Sequence, residues 1–228
     1  MRKEQEPAKI QGMFNRIAGS YDFLNHFFSF NIDARWRRQT VREAADMNPE
    51  VILDVAAGTF DLSLVYAAAF PQARVLGLDF AIDMLKNGLH KLDGKQVYPV
   101  QGDGMQLPVE SGSVDIVSIA FGIRNLLDMD AGLREFYRVL KPGGRVMVLE
   151  FTPNRNPLFR FYSGVVMPLV GRLVSKDRDA YAYLHRSVQA FPSTGKLKDM
   201  MENAGFSGVR WRKLTFGIAA LHIGERGS

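Results

Sequence analysis

The sequence predicts an α/β chain: a mostly parallel seven-stranded sheet with helices on both faces, preceded by an N-terminal helical arm. Three observations carry this expectation. From residue 51 onward, short apolar runs alternate with helical periodicity, the pattern of parallel strands joined by crossover helices. The stretch Val51 to Asp61, VILDVAAGTFD, reads as a buried strand, a tight turn of small residues and a helix start, and GLD at 77–79 ends a second strand in an acid. The spacing from Asp54 to Asp79 fits one strand-helix-strand unit, the arrangement in which a doubly wound sheet grips a nucleoside.

The arm comes first. Residues 8–48 carry Phe14, Ile17, Ala18, Tyr21, Phe27, Phe28, Trp36 and Val41 at helical spacing, with an interruption near 29–31, and Pro49 ends it. Strands are expected at 51–55, 74–78, 97–101, 114–120 and 145–150, and helices at 61–69, 81–92 and 129–139. Lys141-Pro142-Gly143-Gly144 reads as a turn, with lysine near a helix end and then Pro and Gly as stop signals. An insertion follows within 153–190, where PLFRFYSGVVMPLVGRLV is either core or an amphipathic lid over a lipid substrate. Helices near 180–190 and 194–204 and strands near 207–215 and 218–223 complete the chain. With no internal repeat or clear boundary, residues 1–228 form one expected domain.

Composition narrows the function classes. The chain has no cysteine, which excludes disulfides, thiol catalysis and cysteine-ligated metal. Its charged first residues do not form a secretory signal, and no run approaches the roughly 20 apolar residues that span a bilayer. Residues 1–150 hold 17 Lys and Arg against 19 Asp and Glu, whereas residues 151–228 hold 12 against 5. The basic C-terminal third suits an anionic membrane surface or nucleic acid, or it is scattered solvated charge. The basic residues are dispersed, and no Asn/Asp-Pro-Pro-Tyr-like element follows the fourth strand, which argues against a nucleic-acid substrate.

The candidate site gathers at the carboxyl ends of the strands. Gly58 and Thr59 form the turn that lets a ligand approach main-chain N–H groups, and Asp79 is placed for a bidentate bond to a ribose diol. Asp103 and Gly104 follow the third strand, where an acid accepts from an adenine amine or closes an Asx turn. Arg124 and Asn125 follow the fourth strand. Arg124 stabilises an oxyanion that Asn125 orients, or it pairs with Asp128 or Asp130. Asp115 reads as a structural turn residue. His26, His90, His185 and His222 lie in no metal-ligand spacing, so no metal is expected.

These residues together resemble the ubiquinone/menaquinone biosynthesis C-methyltransferase family over nearly the whole chain. FNRIAGSYDFLN is similar to its N-terminal element, ILDVAAGTFD to its cofactor turn, GLDFAIDML to its acidic loop and VQGDGMQLPVESGSVDIV to its third-strand signature. SIAFGIRNLLD, EFYRVLKPGGRVMVLEFTPN, YAYLHRSVQAFP and TFGIAALHIG continue in register. The resemblance implies a Rossmann-like class I methyltransferase using S-adenosylmethionine on a polyprenylated hydroquinone. The expected reaction converts demethylmenaquinol to menaquinol, with the 2-polyprenyl-6-methoxybenzoquinol of ubiquinone biosynthesis as the alternative acceptor. It makes Thr59, Asp79, Asp103 and Gly104 cofactor contacts and adds Tyr21 at the methionine end. It also implies a cytoplasmic protein peripheral to the inner face of the membrane, and leaves a homodimer open.

Two departures accompany it. Phe60 stands where the family has glycine, so its ring is expected to fill part of the methionine space and impair the donor site, giving a non-catalytic homologue as a further alternative. Asn31 and Asp33 replace a glycine and a histidine of the family pattern, at the expected N-terminal wall of the substrate site.

Overall fold

The computed structural model describes residues 7–17, 31–153 and 179–227. Five strands run parallel: β1 (Val51–Val55), β2 (Arg74–Asp79), β3 (Val97–Gln101), β4 (Val114–Ala120) and β5 (Leu140–Phe151). β6 (Ser207–Leu214) and β7 (Ala219–Glu225) form an antiparallel pair, and β7 runs antiparallel to β5. The seven-stranded order is β3-β2-β1-β4-β5-β7-β6, so strand order reverses between β1 and β4. In open α/β sheets ligands bind outside the carboxyl ends of the strands at such a switch point.

The helices are α1 (Pro7–Ile17), α2 (Ile32–Arg42), α3 (Asp61–Ala69), α4 (Ile82–Gly88), α5 (Met129–Val139), α6 (Asp179–Ala190) and α7 (Thr194–Asn203). Alternation along the central strands divides the core between the two faces of the sheet. Ile52, Ile116 and Met147 join Trp36 of α2 and Tyr66 of α3, whereas Leu53, Val117 and Val148 join Phe136 of α5 and Leu197 of α7. β3 is an edge strand and tolerates Pro99, because one side of it needs no ladder donor.

One expected element changes character. Lys141-Pro142-Gly143-Gly144 is not a turn before a strand but an outward irregularity within β5, where pairing passes from Val114–Leu140 directly to Ile116–Arg145. Gly143 takes φ 77 there and donates its N–H to Arg226 O at 2.8 Å. The backbone groups freed by the bulge are met by the chain's end, so the strand continues through it. Residues 18–30 of the expected arm and 154–178 of the expected insertion lie outside the described residues.

Candidate functional site

A cavity opens at the switch point. Its wall takes Ala56 and Gly58 from the turn after β1, Asp79, Phe80 and Ala81 from the end of β2, Gly102 to Met105 after β3, and Ala120 to Gly122 with Asn125 after β4. Ile10 and Gln11 of α1 close one side, and Gln11 Nε2 donates to Phe80 O at 2.9 Å. The two central loops touch: a Cβ on Gly122 would stand 2.4 Å from Ala56 Cβ. Ala56 and Phe121, with φ of 53 and 58, hold the left-handed backbone at the ends of β1 and β4. Such strain persists only where the surroundings over-determine it, and it clusters at functional sites.

Asp79 ends β2 in the cavity wall. Its Oδ2 accepts from Gly58 N–H and its Oδ1 from Ala81 N–H, both at 2.8 Å. Burial pushes its carboxyl up, opposed by the backbone donors of Ala81, Gly58 and Phe80. Each oxygen keeps a second acceptor site for a hydroxyl of a diol. Asp103 uses Oδ1 in an Asx turn with Met105 N–H (2.8 Å), and it also lines the cavity with Gly104. Thr59 is buried beside Gly58 and is not among the lining residues. Tyr21 lies outside the described residues. Val55, Leu78, Met84 and Leu126 supply apolar wall between the acids. Two carboxylates, small-residue turns and apolar flanks match the donor set of a nucleoside with a diol and an exocyclic amine.

Phe60 is not in that wall. It precedes α3 with φ 70, and its ring turns into the core. A Cβ on Gly77 would lie 2.7 Å from Phe60 Cδ1, and one on Gly88 2.5 Å from Cδ2. Two glycines, one on β2 and one ending α4, therefore frame the slot for this ring. The expectation that Phe60 fills the methionine space is corrected: the ring is fully buried in the core and does not line the cavity.

Both N-terminal departures sit at the start of α2. Asn31 takes φ 59 before α2, a conformation glycine and asparagine adopt with least strain. Asp33 is buried and paired with Arg37, whose Nη2 lies 3.6 Å from Asp61 Oδ2, and Lys91 Nζ lies 3.0 Å from Asp61 Oδ1. Neither residue lines the cavity.

Arg124 pairs with neither Asp128 nor Asp130. Asp128 caps α5 by accepting from Ala131 N–H at 2.9 Å. Arg124 instead reaches Glu150 on β5, Nη1 to Oε1 at 2.6 Å, and donates to Phe121 O at 2.5 Å. The two side chains are 7% and 1% exposed, so this is an interior pair. Burial pushes the Glu150 carboxyl up while the Arg124 charge pulls it back. Asn125 does line the cavity, and its Oδ1 accepts from Tyr183 Oη of α6 at 3.1 Å. Glu150 and Tyr183 escaped sequence reasoning because their partners lie 26 and 58 residues away. Ile10 and Gln11 escaped it because nothing in α1 distinguishes a cavity wall from an ordinary helix face.

Asp54 lies beneath the turn, accepting from Ser63 Oγ (2.6 Å) and Ser118 Oγ (3.3 Å). Burial pushes its carboxyl from 3.8 to about 7, against the two hydroxyls. A raised folded value favours the fold fully below the unfolded value, and that contribution is lost as pH rises through about 7. Thermal stability should therefore fall between about pH 4 and about pH 7, and Asp54→Asn should flatten that slope in melting curves.

Comparison with known proteins agrees with this architecture. A model of the ubiE/COQ5 methyltransferase family matches residues 1–226. A demethylmenaquinone methyltransferase of Thermus thermophilus is 47% identical over 220 residues, spanning 94% of this chain and 100% of that protein. A ubiquinone/menaquinone biosynthesis C-methyltransferase of Syntrophotalea carbinolica is 46% identical, spanning 99% of this chain and 98% of its own length. Among solved structures, an S-adenosylmethionine-dependent methyltransferase of Thermotoga maritima superposes with a TM-score of 0.65 at 18% identity, over 94% of this chain and 99% of that one. It shares the Rossmann-like methyltransferase fold. With the family matched end to end and the sheet and switch-point cavity in place, the chain is a methyltransferase and belongs to the ubiE/COQ5 family.

Proposed function

We propose that the chain transfers a methyl group from S-adenosylmethionine to a ring carbon of demethylmenaquinol, giving menaquinol. The observation that carries this reading is the division of one cavity into two chemistries. Asp79, Gly58 and Asp103 suit a nucleoside, and Asn125 presents an amide to whatever lies beside it. The names of the Thermus and Syntrophotalea relatives support the quinol class.

Bound at the nucleoside end, S-adenosylmethionine supplies an electrophilic methyl on sulfonium. What the chain must add is a better carbon nucleophile. A neutral hydroquinone attacks weakly, and its phenolate places charge on the ortho carbon. Each unit by which a site lowers the hydroxyl's pKa is worth about 1.36 kcal/mol. Asn125 serves this directly: with Oδ1 accepting from Tyr183, its Nδ2 donors are left to meet the acceptor's oxygen. Arg124, held by Glu150, fixes the Phe121–Asn125 loop that carries this amide. Asp79 and Asp103 are the ionisable side chains in the described wall, and both belong to the nucleoside end. Among the described residues the wall offers no base at the acceptor end, and in this reading water accepts the hydroxyl proton.

The acceptor must be the reduced quinol, since a quinone has no hydroxyl to ionise. Side-by-side assays with product identification by mass should give turnover with quinol alone, and equal turnover of both forms would sink the reading. Benzoquinol in the same assay separates the two ring types. Tyr183→Phe should slow methyl transfer about three- to tenfold, the worth of one positioning hydrogen bond. Donor affinity should stay unchanged, measured by single turnover beside calorimetric titration.

A further inference from the structure

At the turn between β6 and β7 the backbone holds three consecutive left-handed residues, Thr215, Phe216 and Gly217, with φ of 42, 55 and 81. Two of them carry side chains that disfavour this conformation. The turn is held from two directions. Trp36 Nε1 of α2 donates to Thr215 Oγ1 at 2.9 Å, Thr152 N–H donates to Ile218 O at 3.0 Å, and Thr152 Oγ1 donates to Gly217 O. The result of this bracing is that Phe216 stands 100% exposed.

Its position in the fold gives that exposure a direction. Phe151 at the end of β5 pairs with Ala219 at the start of β7, so the turn projects past the carboxyl end of β5. The cavity opens at the carboxyl ends of β1 to β4, on the same edge of the sheet. Cationic groups accompany it. Lys213 is exposed, and its Cδ lies 3.4 Å from where a Cβ of Gly217 would stand. Arg35 is exposed in the first turn of α2, next to the Trp36 that braces Thr215. Among the described residues no acid pairs with Arg35 or Lys213, whereas Arg212 is committed to Glu43 at 3.0 Å.

We propose that Phe216 is a membrane-insertion point, docking this edge of the sheet onto an anionic lipid surface with Arg35 and Lys213 at the headgroups. An apolar ring ahead of exposed cations matches the layering of a bilayer face, with acyl chains beneath anionic headgroups. The inference rests on the lipid-tailed acceptor proposed above, because docking this edge would bring the cavity mouth to the layer that holds such a molecule.

The test uses the full chain with vesicles of phosphatidylcholine alone and of phosphatidylcholine with phosphatidylglycerol, without substrate. The protein should float with the anionic vesicles, and Phe216→Asn, which suits the left-handed backbone, should weaken partitioning roughly tenfold or more. Phe216→Trp should bind and gain, over the unmodified chain, a blue-shifted emission quenched by brominated lipid. Flotation insensitive to Phe216→Asn would overturn the proposal, as would a gained emission in the bound Phe216→Trp variant that brominated lipid leaves unquenched. So would Phe216-dependent self-association in sedimentation velocity without vesicle binding. A short-tailed soluble quinol keeps the two readings apart: Phe216→Asn should methylate it as fast as the unmodified chain. If neither methylates it, the quinol reading fails whatever the vesicles show.

Discussion

Phe60→Gly is expected to destabilise the protein by about 3 kcal/mol and to leave affinity for S-adenosylmethionine unchanged. Removing a fully buried phenyl ring costs about 3–5 kcal/mol, and relief of the left-handed backbone at φ 70 returns about 1 kcal/mol or more. For a chain of 228 residues the difference is roughly a 10 °C fall in Tm. Denaturant titration and calorimetric titration of the donor read the two parts separately. A donor affinity improved tenfold or more by Phe60→Gly would place the ring in the ligand's path after all. The slot supplies a second check. Gly77→Ala puts a methyl group 2.7 Å from the ring and should destabilise the unmodified chain, yet cost much less beside Phe60→Gly.

Glu150→Gln is expected to cost about 3–5 kcal/mol of stability, because it leaves the Arg124 guanidinium buried without its counter-charge. The loop from Phe121 to Asn125 would lose its side-chain tie to β5, since Glu150 meets Arg124 through the side chain at 2.6 Å and faces its backbone N–H at 3.5 Å. Methyl transfer should then fall at least about tenfold, as displacing positioning groups by an ångström does. Removing both charges, with Arg124→Leu and Glu150→Leu together, should restore most of the stability, since no uncompensated ion remains. Chemical denaturation of the two single variants and the double variant forms the cycle that checks this. Full additivity of the two losses would show that the pair is not coupled.

The two results bear on how far local pattern reaches. The strands from Val51 to Glu150 were legible because each is a short apolar run closed by turn residues, and the acid of Asp79 was legible because its place at a strand end is a local fact. The same reasoning placed a turn at Lys141–Gly144, where the structure has a bulge in β5. Pro and Gly there do interrupt the ladder, but Leu140 resumes pairing with Val114 across it. That pairing depends on a neighbouring strand, which no local pattern records.

Phe60 shows the same limit within the site. The sequence marks it as the wrong residue for a phosphate- or nucleoside-type turn, and says nothing of Gly77 and Gly88, which make room for the ring on the far side. Arg124 was expected to stabilise an oxyanion or else to pair with an acid on the following helix, four or six residues away. Asp128 is instead consumed by capping that helix, and the buried carboxylate that meets Arg124 belongs to the next strand.

By itself the sequence determined the fold class, the order of the parallel strands' elements, the family and the acids that line the cavity. The fold class and the acids depend on periodicity, turn chemistry and residues at strand ends, and the family on motifs spread over nearly the whole chain. The tertiary structure decided which way Phe60 points, which carboxylate neutralises Arg124, that Tyr183 sets the Asn125 amide, and that Phe216 is held out in solvent. Each of these is fixed by contact between segments tens of residues apart, where packing and burial, rather than local propensity, choose the partner.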